Sequence, residues 1–259
     1  MPHLHLALSG DDGESREFAP PPMTEDESLA LLASAEIIGT QLVPWGSNYT
    51  FAVAITAADG AERVAIYKPA AGEAPLYDFP DGTLYLREMA AYLLSRFLGW
   101  DLVPPTVVRE GPHGVGSLQL FIPVPREEEE SDPAFWRRRH PAIEKLVLFD
   151  HVVNNADRKL GHCLRDVDGR VWGIDHGLTF NEEPKLRTVL WQYVGRPIAE
   201  ELLADLGRLR ERQEAVRAMF APYLDVSEID AFEERVDRLL AAGSHPELDP
   251  RRNVPYGWF

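Results

Sequence analysis

The sequence predicts an α+β protein in which a mainly β part precedes a mainly helical part. Three observations support this prediction. Short segments of strand-like alternation lie between residues 50 and 122, a charged, proline-flanked connector follows at 125–133, and helical patterns dominate after residue 141. We therefore expect two domains, 24–124 and 125–259, preceded by a flexible N-terminal arm at residues 1–23.

Composition and charge limit the possible partners. The chain has 259 residues and a net charge of −16, from 42 acidic and 26 basic residues. Such a chain repels phosphate backbones and anionic bilayers at long range, so we expect no nucleic-acid partner and no tight membrane association. The lone Cys163 excludes an internal disulfide, and the sequence shows no signal peptide or long apolar run. These features predict a cytoplasmic protein.

The first domain begins with a short predicted helix. Thr24 and Glu27 have the spacing of a capping box, in which each side chain binds the backbone N–H of the other residue. The apolar segment SLALLASAEII follows, and Gly39 is the predicted end of the helix.

A β-hairpin is predicted next. The segments TFAVAIT (50–56) and RVAIYKP (63–69) have strand patterns, and the Asp59-Gly60 pair between them is a hairpin turn signal. Because side chains alternate across a strand, Lys68 shares a face with two apolar residues.

The remaining elements follow from the same patterns. The segment TLYLREMAAYLLSRFLG predicts a helix that ends at Gly99, and VPPTVV and GVGSLQLFIP predict two strands. Pro141 begins a helix that runs to about Asn155. Two short strands around the DVDG turn form a second hairpin, and residues 197–242 predict two or three amphipathic helices.

Lys68 and Glu88 form the first candidate pair. A strand lysine most often extends its ammonium group into solvent, and a helix glutamate is most often an ordinary solvated residue. Together they also fit a second interpretation, in which a lysine inside a small sheet binds phosphate and pairs with an acid on the following helix.

The segment NNADRKLGHCLRDVDGRVWGIDHGL (154–178) contains the strongest candidates. Asp157 directly follows an apolar helix, His162 comes five residues later, and Asp175 ends the second hairpin. Since a hairpin brings its two ends side by side, His162 and Asp175 are expected to converge. Phosphoryl transfer uses such groups, with carboxylates and neutral ligands around a divalent metal and an aspartate at the attacking hydroxyl.

These segments resemble the phosphatidylinositol 3- and 4-kinase-like family, most closely the type II phosphatidylinositol 4-kinases and their small bacterial relatives. The resemblance spans residues 42 to 200 and rests on seven segments in family order: IYKP, LREMAAYLL, GWDLVPPTVV, GSLQLFI, NADRKLGHCL, GIDHGLTF and WQYVGRPI. It implies a bilobal protein-kinase-like fold that binds ATP in a cleft between its lobes.

The resemblance gives each candidate a role. Lys68 matches the lysine that binds ATP phosphates, Glu88 matches the helix acid that orients it, and Asp157 matches the catalytic-loop aspartate. Asp175 matches the metal-binding aspartate, with His162 as the second metal ligand. The other nucleotide-binding candidates are Gly46, Ser47 and Asn48 of the phosphate loop and Phe121 and Ile122 of the adenine linker.

Two departures from the family pattern bear on the chemistry, and a third feature bears on the substrate. Asn is usual where His162 stands, and imidazole suits softer ions than Mg²⁺, so we expect use of Mn²⁺ as well as Mg²⁺, or weak activity. The phosphate loop PWGSNYTFAV has one glycine instead of a glycine-rich run. The segment NEEPKLRTVLWQYVG lacks the basic cluster expected of a kinase that binds anionic bilayers.

The sequence thus predicts an ATP-dependent phosphotransferase that uses Mg²⁺ or Mn²⁺. Its acceptor would be a soluble hydroxyl compound, inositol-like or another polyol, or a protein side chain. Two alternatives remain open. The presence of His162 favours a pseudokinase, a nucleotide-binding scaffold without catalysis. A kinase-like fold that binds ATP in the inverted direction would instead be a protein nucleotidyltransferase.

Overall fold

The chain forms two compact units, which confirms the predicted bilobal α+β architecture. The computed structural model describes residues 23–44, 48–57, 60, 62–124 and 133–256. The first unit comprises Met1–Tyr85 and Pro105–Phe121, and the second comprises Leu86–Pro104 and Ile122–Phe259. The sequence predicted a single boundary between residues 124 and 125, whereas this division of the chain has three.

The first unit is built on a five-stranded antiparallel sheet. Its strands are β1 (Glu36–Val43), β2 (Thr50–Thr56), β3 (Glu62–Pro69), β4 (Thr106–Gly111) and β5 (Gly114–Leu120). They lie in the order β1-β2-β3-β5-β4. The core of the unit consists of Leu31, Leu32, Ala35, Val53, Ile55, Ala65, Tyr67 and Leu118.

Helix α1 (Glu25–Ser34) starts where the sequence predicts but ends earlier. The capping box of Thr24 and Glu27 is formed. The predicted helix end at Gly39 is wrong, because Ala35 already has an extended backbone and Gly39 lies in β1, beside a bulge. The Arg109 Nη1 atom donates to the carbonyl oxygens of Leu32 and Ala35, which satisfies the end of the helix.

The second unit is mainly helical. Its helices are α2 (Leu84–Phe97, from Leu86 onward), α3 (Pro133–Arg137), α4 (Pro141–Val153), α5 (Glu200–Glu211), α6 (Gln213–Phe220) and α7 (Val226–Ala242). A two-stranded antiparallel hairpin pairs β6 (Cys163–Arg165) with β7 (Val171–Gly173). No helix in the described ranges is long and apolar enough to cross a membrane.

Helix α4 leads into the candidate site and is buried over most of its length. Every residue from Leu146 to Val153 is buried, including Asp150 and His151. Pro141 stands in the first turn, as predicted, and the His140 side chain accepts the N–H of Ala142. A helix buried on all sides has little freedom to shift, so the residues that follow it have a fixed starting point.

Candidate active site

Asn154 ends α4 and directs the chain into the loop. It adopts the left-handed conformation (φ 54°, ψ 51°), which Asn tolerates better than most residues. Its side-chain amide donates to the carbonyl oxygens of Asn181 and Glu183, and its Oδ1 atom accepts the N–H of Lys185. The end of the helix is therefore tied to the segment that follows Asp175.

Asn155 fixes the backbone in front of Asp157. Its side chain is fully buried, donates to Asp150 Oδ1 at 2.9 Å, and accepts the backbone N–H of Asp157 at 2.9 Å. The polar interruption of the apolar sequence is therefore structural at its first two positions, since both asparagines hold the loop in place.

Arg158 is the centre of the loop and is completely buried. It forms a two-point ion pair with Asp150 at 2.8 and 2.9 Å. Its Nη1 atom donates to the carbonyl oxygens of His162 and Ile174 at 2.8 and 2.9 Å. Burial acts to lower the pKa of Arg158, but the Asp150 carboxylate more than offsets this, so the net pKa is raised and the group stays charged.

His176 accepts the remaining contact from Arg158, with its Nε2 atom 2.8 Å from Nη2. A guanidinium group only donates hydrogen bonds, so Nε2 must be unprotonated and the ring proton must lie on Nδ1. The backbone N–H of His176 donates to Glu88 Oε2 at 3.0 Å.

The Asp157 carboxyl lies near the side chains of Lys159 and His162, and both affect its pKa. Lys159 Nζ is 2.8 Å from Asp157 Oδ2, and the Asp157 side chain is 21% exposed. Burial raises the pKa of the Asp157 carboxyl, Lys159 and His162 act to lower it, and the negative charge of Asp175 raises it; the net direction is upward. A carboxylate whose pKa is raised in this way is a better proton acceptor than an exposed one.

His162 and Asp175 converge, as the sequence predicts. His162 Nε2 is 3.2 Å from Asp175 Oδ2, and His162 Nδ1 is 2.9 Å from the carbonyl oxygen of Asp157. The backbone N–H of Ile174 donates to the His162 carbonyl, which extends the hairpin by one step. Because a carbonyl oxygen only accepts, the Nδ1 atom carries the proton and the Nε2 atom faces the Asp175 carboxylate.

This geometry fits a divalent cation. The Nε2 lone pair of a neutral imidazole and the Asp175 carboxylate oxygen repel each other unless a proton or a metal ion lies between them. Two neighbouring ligands of an octahedral ion are about 3 Å apart, close to the separation seen here. The described residues contain no group of three or more His, Cys, Asp or Glu side chains placed to hold a metal. A metal at Asp175 and His162 would therefore need further ligands, such as water molecules or substrate oxygens.

Asp175 has an unusual backbone conformation with φ +60°. The left-handed region costs a non-glycine residue about 1–2 kcal/mol, so the surrounding contacts must hold Asp175 in place. They do so from both sides, since Arg158 binds the carbonyl of Ile174 and Glu88 binds the N–H of His176. Strain of this kind, held by neighbouring contacts, is typical of functional positions.

Glu88 is buried in the second unit and contacts the residue after Asp175. Its neighbour Arg87 is also buried, forms an ion pair with Glu228 of α7, and donates to the carbonyl of Thr179. Helix α2 is thereby joined to α7 and to the segment after Asp175. The sequence predicted a glutamate that orients a lysine, and the contact with His176 was missed.

The other predicted nucleotide-binding residues lie mostly in the first unit. Lys68 is on β3 opposite Ser117 of β5. Asn48 Oδ1 accepts the N–H of Ala74, so this atom holds a turn. Phe121 is the last residue of the first unit, and Ile122 is the first residue of the second segment of the second unit. Gly46 and Ser47 lie outside the described residues. The roles of these residues remain proposals.

Sequence reasoning missed the groups that hold the loop in place. Asp150 and Arg158 form the buried ion pair, and Lys159 pairs with Asp157. The available signal was weak: Asp150 is an acid within an apolar helix, and Arg158 and Lys159 are two consecutive basic residues beside a candidate base.

Comparison with known proteins places the chain in a family. No family model matches it. It is 36% identical over 269 residues to Protein Rv2133c of Mycobacterium tuberculosis, a match that covers 90% of this chain and 96% of that protein. The chain belongs to the Rv2133c family.

Solved structures show which fold the chain has. A crystal structure of the Golgi casein kinase has a TM-score of 0.53 at 13% identity and covers 87% of this chain and 79% of its own. Hydra Fam20, solved with sugar, has a TM-score of 0.55 at 15% identity and covers 83% and 86%. The Helicobacter pylori proinflammatory kinase CtkA has a TM-score of 0.52 at 10% identity and covers 82% and 95%. The fold is therefore protein-kinase-like.

Proposed function

We propose that the protein is an ATP-dependent phosphotransferase that uses Mn²⁺ or Mg²⁺. The observation that carries this proposal is the grouping of Asp157, His162 and Asp175 around one loop and one hairpin of a kinase-like fold. One similar structure, that of the Golgi casein kinase, contains Mn and ADP, and this supports the same ligands here. The finer assignment to the phosphatidylinositol 3- and 4-kinase-like family rests on the sequence segments alone.

Asp157 acts as the base in this proposal. The acceptor hydroxyl donates its proton to the Asp157 carboxylate as its oxygen bonds to the γ-phosphorus, and the bond from that phosphorus to the ADP oxygen breaks. Lys159, 2.8 Å from Asp157, keeps positive charge beside the base and opposes its protonation in the resting state. Asn155 and Arg158 keep the loop in place during the reaction.

Asp175 and His162 would hold the divalent ion. When bound, such an ion neutralises charge on the ATP phosphates. A nitrogen ligand beside one carboxylate is a donor set that Mn²⁺ accepts more readily than Mg²⁺. Lys68 would bind ATP phosphates, and Glu88 supports Asp175 through His176. The acceptor remains a soluble polyol, inositol-like or other, or a protein side chain.

A thermal-shift titration tests nucleotide binding. ATP with Mn²⁺ is expected to raise the unfolding midpoint of the wild type, because a ligand bound only by the native state stabilises it. Asp157→Asn should keep this shift and lose transfer of labelled phosphate to a metabolite extract. Lys68→Met should weaken the shift. Absence of any shift at millimolar ATP with either ion would contradict the proposal.

The presence of His162 in place of the usual Asn favours one other function, that of a pseudokinase. A pseudokinase binds nucleotide without turnover. An ATP-dependent thermal shift combined with equal, background-level transfer by the wild type and by Asp157→Asn would support it over the phosphotransferase.

A further inference from the structure

Arg187 lies beside the proposed base and is held there by the backbone. Its N–H donates to the carbonyl of Asn155, and its own carbonyl accepts the N–H of Arg158, both at 2.9 Å. The chain around Arg187 therefore runs alongside the loop that contains Asp157. The Arg187 Nη1 atom is 3.5 Å from the carbonyl oxygen of Ala156, the residue directly before Asp157.

The Arg187 guanidinium has more N–H donors than its two hydrogen bonds use. In the described part of the chain it forms no ion pair with a carboxylate, although the protein has 42 acidic residues. Its two hydrogen bonds, to Ala156 and to the Tyr256 hydroxyl at 3.3 Å, are long. A guanidinium has five N–H donors in a planar fork that suits phosphate and carboxylate groups.

Tyr256 positions this guanidinium without neutralising it. The Arg187 Cζ atom lies 4.6 Å from the centre of the Tyr256 ring, a cation–π distance. The segment that carries Tyr256 is fixed by Asn253, whose side chain donates to the carbonyl of Leu186 and whose carbonyl accepts the N–H of Thr188. Stacking covers one face of the guanidinium and leaves its N–H edge for another partner.

We propose that Arg187 is an anion-binding residue of the acceptor site, and that the acceptor is a small hydroxyl compound bearing a phosphate or carboxylate group. This inference rests on the proposed function, because it takes Asp157 as the base. The anionic group would bind the guanidinium while the hydroxyl reaches the Asp157 carboxylate. A chain of net charge −16 repels acidic polypeptides at long range, which favours a small acceptor over an acidic protein.

Arg212 offers a matched control. It too stacks on an aromatic ring, with its Cζ atom 4.5 Å from the centre of the Phe97 ring, and it is exposed. Its backbone and side chain form no hydrogen bond with the residues around Asp157 in the described chain. The variants Arg187→Gln and Arg212→Gln therefore remove similar stacked cations, of which only Arg187 lies beside the proposed base.

The test uses inorganic phosphate as a probe in thermal-shift titrations, first without nucleotide and then with saturating ADP and Mn²⁺. At a concentration tenfold above its Kd, phosphate should raise the wild-type midpoint by about 3 °C. Arg187→Gln should lose most of this shift, and Arg212→Gln should keep it. Glycerol 3-phosphate should act like phosphate, and glycerol should have no effect.

Three outcomes would overturn the proposal: an equal phosphate shift in Arg187→Gln and the wild type, no shift in the wild type up to tens of millimolar phosphate, or equal shifts with glycerol and glycerol 3-phosphate. Tighter binding of an acidic serine peptide than of glycerol 3-phosphate would overturn the choice of a small acceptor. The ATP titration is independent of these. A phosphate shift that depends on Arg187 without an ATP shift would keep the anion site and reject the phosphotransferase.

Discussion

Replacing Arg158 with Lys is expected to destabilise the protein by about 4 kcal/mol. Each of the five N–H groups of Arg158 has an acceptor within 2.9 Å: Asp150 Oδ1, Asp150 Oδ2, the carbonyl oxygens of His162 and Ile174, and His176 Nε2. A lysine ammonium has three donors, so at least two buried acceptors lose their partner. An unsatisfied buried polar group costs about 1–3 kcal/mol, which gives about 2–6 kcal/mol for two.

Urea unfolding of the wild type and the variant at pH 7 measures this loss. Arg170→Lys is the matched control, because Arg170 lies in the β6–β7 hairpin, over the Trp172 ring, and has a 46% exposed side chain. It should change stability by less than about 1 kcal/mol. If Arg158→Lys costs no more than Arg170→Lys, the five contacts of Arg158 do not stabilise the loop.

Four other substitutions test separate parts of the molecule. Asp175→Asn should leave the metal-free protein as stable as the wild type or more so, since Asn tolerates φ +60° well, while the ATP·Mn²⁺ thermal shift is lost. His162→Asn should move the metal preference of the ATP shift toward Mg²⁺; an unchanged preference would count against His162 as a ligand. Burial lowers the pKa of His151 from 6.5 to about 3, so the folded protein keeps this residue neutral while the unfolded chain binds a proton. Stability should then fall as the pH drops below about 6.5, by about 2 kcal/mol at pH 5, and His151→Leu should remove that part of the loss in urea titrations. Gly116→Ala should cost about 2 kcal/mol in the same assay, because its Cβ would clash with the backbone carbonyl oxygen of Lys68 in β3. Gly207→Ala has open space around its Cβ and should not destabilise.

The fold was predictable where local signals agreed with the final packing. The capping box of α1, the hairpin of β2 and β3, and the stop of α2 at Gly99, which has φ +64°, all depend on a few neighbouring residues. The strand β1 was missed because the apolar residues Ile37 and Ile38 come three and four residues after the end of α1, and the sequence pattern does not separate them from the helix. The pairing of Ile37 with Ile55 of β2, which the local sequence does not reveal, makes this segment a strand.

The convergence of His162 and Asp175 was predictable from the sequence, whereas the contacts that hold the candidate site in place were not. Asp157, His162 and Asp175 stand in a short segment whose hairpin signal brings two of them together. The pairing of Asp150 with Arg158 spans the end of a helix and a loop turn, and nothing local requires it. Glu88 was identified by its position on α2, but its contact with the N–H of His176 depends on tertiary packing.

Basic residues lie around Asp157, although the net charge of the whole chain is negative. The protein has a net charge of −16, yet the segments next to Asp157 contain Arg158, Lys159 and Arg187. Arg158 is neutralised by Asp150, and Lys159 is paired with Asp157 itself. Arg187 is therefore a cation beside the proposed base, and no described carboxylate offsets its charge. The Asp175 carboxylate would offset part of the charge of a metal ion bound to Asp175 and His162. An anionic acceptor bound to Arg187 would offset the charge of the guanidinium, so that charges of both signs would be balanced around the transferred phosphoryl group.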